Sequence, residues 1–145
     1  AAVQWGAGDF AMMAELAAQR EIERAEQRGE YGWTDLMGVA QRLSGGQARK
    51  VGAMGFVARK KGQPRDRFFV VRFTMTCCAA CAQPVAVPAR LDDEALRAHD
   101  LDPAAVRAML EEDQWVEAYG RLDPEAAVWR IEDVRTIREP EDPYM

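Results

Sequence analysis

The stretch Val51-Gly52-Ala53-Met54-Gly55-Phe56-Val57-Ala58-Arg59 and its successor Arg67-Phe68-Phe69-Val70-Val71-Arg72-Phe73-Thr74-Met75 decide how the chain is read. Each is a short run rich in valine and phenylalanine. A polar break containing Gly62 and Pro64 separates them, which is the pattern of two strands joined by a turn. Three further runs have the same texture: Pro84 to Ala89, Trp115 to Leu122, and Ala127 to Ile137. Between the third and fourth lies a helical stretch from Asp92 to Ala98. Asp102 then caps a second piece with Pro103 at the first helical position, running to Glu111.

Three strands, a helix and two strands is the order of a five-stranded OB-type barrel, in which the helix plugs the barrel between strands three and four. Gly55 and Gly120 suit the coiling of a small barrel, because a glycine permits bulges and close strand approach. The expected class is mostly β with helices (α+β): an OB-like barrel over residues 49–145, preceded by an N-terminal helical segment over 1–48. Within that segment Asp9 is placed to cap a helix starting at Phe10, with Met13, Ala14, Ala17, Ala18, Ile22 and Ala25 at helical spacing until Gly29. Its charged second half, Arg20 to Glu30, reads as a solvated arm or as a partner-docking stalk. Thr34 is placed to cap a second helix with Leu36, Val39, Ala40 and Leu43 on its buried face, stopping at Gly45 and Gly46.

With 145 residues, 48% hydrophobic and 30% charged, the chain has the mix of one domain that buries a core. The net charge of −5 repels a phosphate backbone overall, so a nucleic-acid role would need a local basic patch. No apolar run reaches the roughly 18 to 20 residues of a membrane span. The chain opens at Ala1 and reads as a piece of something longer. His99 is the only histidine and Ser44 the only serine, and neither sits in a nucleophile motif, so an enzyme is not expected.

Two motifs compete for attention before the cysteines. Leu43-Ser44-Gly45-Gly46-Gln47 spells the signature loop of ABC-transporter ATPases, but no phosphate loop of the form G-x-x-x-x-G-K-[ST] accompanies it. The pentapeptide also leads into a strand, where that signature opens a helix. Around the first hairpin stand Arg49, Lys50, Arg59, Lys60, Lys61, Arg65, Arg67 and Arg72 against Asp66, with Phe56, Phe68 and Phe69 as candidate stacking surfaces for an oligonucleotide. The competing reading is a solubilising charged hairpin over core phenylalanines.

The most specialised segment is Thr76-Cys77-Cys78-Ala79-Ala80-Cys81-Ala82-Gln83-Pro84, which holds all three cysteines. Cys78 and Cys81 have the C-x-x-C spacing that closes around zinc, and thiolates hold borderline-soft metals better than oxygen does. Three thiolates leave a fourth position to His99, an acidic residue, water, or a partner's group. A disulfide between Cys81 and Cys77 or Cys78, and three thiols that only pack, are the alternatives.

These residues resemble the YcgQ-like permease-subunit family. The resemblance runs through Gly55-Phe56-Val57, Arg67 to Phe73, and Cys77-Cys78-Ala79-Ala80-Cys81-Ala82-Gln83-Pro84-Val85. It continues through Trp115-Val116, Gly120-Arg121-Leu122 and Glu139-Pro140-Glu141-Asp142-Pro143-Tyr144. It covers about two thirds of the chain in order. Where the family has an aspartate, this chain has Cys81, which would make a metal site softer. The helical insertion between Ala89 and Trp115 is longer than the family's. The resemblance implies an extracytoplasmic accessory domain, anchored by a segment absent from this chain, whose partner is a YcgR-like membrane permease. A zinc site formed by Cys77, Cys78 and Cys81 fits that setting. The expectations from other classes are a docking domain without metal and an OB-type nucleic-acid module.

Overall fold

The computed structural model describes residues 7–75 and 82–145, with side chains from Met12 onward. Ten elements follow in order: α1 (Ala7–Gln27), β1 (Gly32–Trp33), α2 (Leu36–Ser44), β2 (Lys50–Ala58), β3 (Arg67–Thr74), β4 (Gln83–Leu91), α3 (Asp93–Ala98), α4 (Pro103–Met109), β5 (Trp115–Asp123) and β6 (Val128–Thr136). The sheet order is β1-β2-β3-β4-β6-β5, and a further β2–β5 pairing closes five of the strands into a barrel. The barrel is mixed, since β4 and β6 run parallel from Ala89↔Trp129 to Leu91↔Ile131. This is the OB-like α+β architecture read from the strand order. β1 lies outside the barrel, parallel to β2 through Gly32↔Val51 and Trp33↔Gly52.

Alternation along each strand fills the interior. Val51, Ala53 and Val57 of β2, Phe68 and Val70 of β3, and Val87, Ala89 and Leu91 of β4 are buried together. Val116, Ala118 and Leu122 of β5 and Trp129, Ile131 and Val134 of β6 complete the wall. The spacing in β6 breaks from two to three after Ile131. Tyr119 pairs with Asp133 while Gly120 pairs with Ile131, so Glu132 is an extra residue bulged out of the ladder. The bulge lets Val134 point inward again and leaves the Glu132 carboxylate on the outside, where Tyr31 Oη donates to it at 2.8 Å.

The helices share this core. Ile22 of α1, Leu36 and Val39 of α2, Leu96 of α3 and Val106 of α4 belong to the same buried cluster as the barrel residues. α2 touches β2, β4 and β5, and because β4 is not a neighbour of the other two, α2 must lie across one end of the barrel. Arg42 of α2 is buried and fastens α1: its Nη2 donates to Glu15 at 2.7 Å and Gln19 at 3.3 Å, and its Nη1 to the Gly38 carbonyl.

Three boundaries differ from the sequence reading, each for a local reason. α1 already runs from Ala7, so Asp9 lies within it rather than at its cap. Its other end closes as expected at Gly29, whose φ of 74° lets Gly29 N–H reach the Glu26 carbonyl and Glu30 N–H that of Ala25. Asp35, not Thr34, caps α2 by accepting from Gly38 N–H at 2.7 Å. Thr34 is occupied in extending β1, where its N–H donates to the Gly52 carbonyl. α4 stops at Met109 instead of Glu111, because Leu110 leaves the helical conformation (φ −88°, ψ 65°), and Arg59 takes its carbonyl with Nε at 3.0 Å and Nη2 at 2.8 Å.

A Cβ added at Gly120 would run into the Arg130 carbonyl of β6. Gly120→Ala is therefore expected to cost at least about 3 kcal/mol in urea unfolding, because only a backbone shift relieves the clash. Asp92 caps α3 through Ala95 N–H and pairs with Arg130 at 2.6 Å. Burial opposes its charge, but those two donors outweigh it and hold the carboxyl below its ordinary value. Such a group stabilises the fold above the unfolded carboxylate pKa of about 3.9 and stops doing so as pH falls through its lower folded value. Asp92→Ala should cost about 1 to 2 kcal/mol at pH 7. The gap between its melting curve and that of the unaltered chain should close only under strongly acid conditions.

Candidate functional site

The barrel's outer surface carries one aromatic cleft built by strand register. Phe56 of β2 pairs with Trp115 of β5 and with Val71 of β3, so Phe56, Trp115 and Phe73 emerge side by side. The Phe56 ring lies 5.4 Å from that of Trp115, tilted by 58°, and 6.0 Å from that of Phe73 in a stacked arrangement. Together with Asp113, Gln114, Ile137, Glu139, Pro143 and Tyr144 they line a cavity of about 560 Å³, within the size range of ligand sites. Gln114 fixes one wall by donating from Nε2 to the carbonyls of Trp115 and Ile137. In the sequence Trp115 opens a strand run and, with Tyr144, belongs to the family resemblance, but neither marks a cleft. Their convergence with Phe73 needs three strands and the C-terminal segment at once, and the one local hint is an aromatic at an outward strand position.

Half of the basic hairpin turns out to be internal scaffolding. Arg59 donates to the carbonyls of Leu110, Arg65 and Arg67, and burial together with the neighbouring Arg65 charge lowers its pKa. Arg72 donates to the carbonyls of Asp142, Pro143 and Tyr144 and lies over the Trp115 ring at 5.9 Å. Arg49 pairs with Glu26 at 3.1 Å, and Lys50 reaches the Gly29 carbonyl and the face of Tyr31. Of the proposed stacking residues, Phe68 is core, and only Phe56 and Phe69 are partly accessible.

Cys77, Cys78 and Cys81 lie outside the described residues. Thr74 of β3 and Gln83 of β4 are paired neighbours, so by sequence all three cysteines belong to the connection between these two strand ends. His99 is exposed at the end of α3, with Nδ1 2.9 Å from the Ala95 carbonyl and its ring 6.4 Å from that of Tyr31. Tyr31 also packs on Tyr119, whose ring meets Trp33. Burial and the Glu132 carboxylate push the Tyr31 phenol well above its usual range. Burial and Glu117 do the same to Tyr119. At the far end of β4, Asp92 and Asp93 are ion-paired to Arg130 and Arg107. Among the described residues no group of histidine, cysteine, aspartate and glutamate is arranged to hold a metal. The Leu43 to Gln47 motif ends α2, with Gly45 as its cap, and does not open a helix.

The family described as the DUF1980 C-terminal domain matches residues 11–145. No curated protein matches. Among solved structures, the S. pombe Stn1-Ten1 complex is similar at 9% identity and a TM-score of 0.44, over 77% of this chain and 81% of that one. Yeast Stn1 and Ten1 is similar at 10% identity and a TM-score of 0.47, over 82% and 69%. The OBody AM1L10 bound to hen egg-white lysozyme is similar at 16% identity and a TM-score of 0.44, over 68% and 89%.

The contrast between bonded and solvated cations is measurable. Arg59→Ala strands three backbone carbonyls and should cost about 1 to 3 kcal/mol by urea denaturation. Lys61→Ala, at an exposed turn position, should stay within about 0.5 kcal/mol of the unaltered chain.

Proposed function

This chain belongs to the DUF1980 C-terminal domain family, and we propose that it is a non-enzymatic binding module that holds a transition metal through Cys77, Cys78 and Cys81. The observation that carries this reading is the β3–β4 ladder, in register to its last pair, Thr74↔Gln83. Two neighbouring strand ends thus bracket the only three thiols of the chain within one short connection. Three closely spaced thiolates suit zinc among the common divalent ions, because sulfur ligation disfavours magnesium and calcium. A set of three leaves a fourth position for an exchangeable group, which fits a domain that receives and passes on an ion better than one that locks it in.

In its setting the module is an accessory domain of a two-component membrane permease, on the extracytoplasmic face of the membrane, with a YcgR-like permease as partner. The family resemblance and the cysteine segment support that placement. Anchoring by a segment outside this chain is what the family resemblance implies; no helix among the described residues is long and apolar enough to cross a membrane.

The test is zinc content and affinity of the reduced domain beside a Cys78→Ala, Cys81→Ala variant. One zinc per chain is expected, with affinity falling on the order of a hundredfold or more in the variant. A metal-free reduced protein whose variant loses only stability would replace this reading with a docking domain in which the cysteines pack.

A further inference from the structure

β2 leaves β3 before β3 ends, its earlier residues Val51 and Gly52 pairing with β1 instead. β2 pairs with β3 only through Phe56, Val57 and Ala58 against Val71, Val70 and Phe69, so the edge of β3 from Arg72 to Thr74 is left open on that side. Residues 142–145 fill the opening. Tyr144 bridges Phe73 in parallel orientation, and Met145 N–H donates to the Phe73 carbonyl at 3.0 Å. Arg72 reads the same segment with its guanidinium fork, donating from Nε to the Pro143 carbonyl at 3.2 Å and from Nη2 to those of Asp142 and Tyr144 at 3.1 and 3.2 Å. Three successive carbonyls gripped by one planar group amount to recognition of an extended backbone, which depends little on side-chain identity. Side-chain selection is left to the cleft beside it, where Pro143 and Tyr144 meet Phe56, Phe73 and Trp115.

With that segment seated, the cleft still encloses about 560 Å³, and Phe73 remains 38% exposed. The resident segment therefore satisfies the backbone-reading elements without filling the aromatic cleft. We propose that this slot is a docking site for an extended Pro–aromatic segment of a partner protein, added as a strand to the edge of β3, and that residues 142–145 hold it in cis. The resident segment is the evidence for the occupant's chemistry: free carbonyls for Arg72, an N–H for Phe73, and a proline followed by an aromatic ring for the cleft. Only five residues separate the end of β6 at Thr136 from Asp142, so the segment competes at an effective concentration on the order of millimolar. A partner gains the slot only by binding more tightly than this, or when the cis contact is loosened.

The experiment uses the full chain and, as probe, a fluorescein-labelled peptide of residues 138–145, read by fluorescence anisotropy. In a Pro143→Ala, Tyr144→Ala variant, which loosens the cis segment, the peptide should bind saturably and at least tenfold more tightly than to the unaltered chain. Adding Arg72→Lys, which keeps the charge but lacks the fork, should weaken binding at least tenfold while the circular dichroism melt shows a folded protein. If the double variant does not fold, Tyr144→Ala alone takes its place. Peptide uptake no greater than that of the unaltered chain, or uptake indifferent to Arg72→Lys, would overturn the proposal. So would a concentration-dependent dimer of the unaltered chain without peptide uptake, which would assign the slot to a second copy.

Discussion

Closure of β2 against β5 is the constraint from which the rest of this structure follows. Seven residue pairs, from Lys50↔Arg121 to Phe56↔Trp115, turn an open sheet into a barrel and remove its two exposed edges. Closing so few strands forces strong coiling, and backbone must approach backbone where the wall bends. Gly120 serves at that point: it pairs with Val51 on one side and Ile131 on the other, where any side chain would meet the Arg130 carbonyl. Gly55 plays the same part opposite β3, where a Cβ would fall 2.7 Å from Val70 and 2.8 Å from the Val71 carbonyl. The bulge at Glu132 absorbs the remaining mismatch and keeps Val134 in the core.

A closed barrel has no spare strand to satisfy the chain ends that meet it, and arginine does that work here. Arg42 joins the two N-terminal helices, Arg59 satisfies the Leu110 carbonyl just past α4, and Arg72 seats residues 142–145. Each uses the fork of the guanidinium to satisfy carbonyls or carboxylates that no ladder reaches. For this reason the positive charge counted along the first hairpin overstates what a polyanion would meet. Several of those cations are already bonded, in a molecule whose net charge is −5.

β3 connects the two regions of chemical interest. Phe73 forms part of the aromatic cleft and lends its carbonyl to residue 145, and the strand then leads through Thr74 into the segment that carries the cysteines. In sequence, the connection proposed to hold a metal thus follows directly on the strand that carries the proposed docking slot.

The strand runs, the α3–α4 pair between the third and fourth barrel strands, and the choice of Gly55 and Gly120 were legible in the sequence. They depend on properties that act over a few residues: alternation, cap and proline positions, and the absence of a Cβ. The cysteine spacing from which the metal reading starts is equally local. β1 escaped notice because two residues carry no periodicity, and Thr34 was displaced as a cap by a pairing that only the folded sheet supplies. The bulge at Glu132, the internal use of Arg59 and Arg72, and the aromatic cleft required tertiary structure for one reason. Each depends on how neighbouring strands are registered or on which distant segments meet, and position along the chain does not show that until the barrel closes.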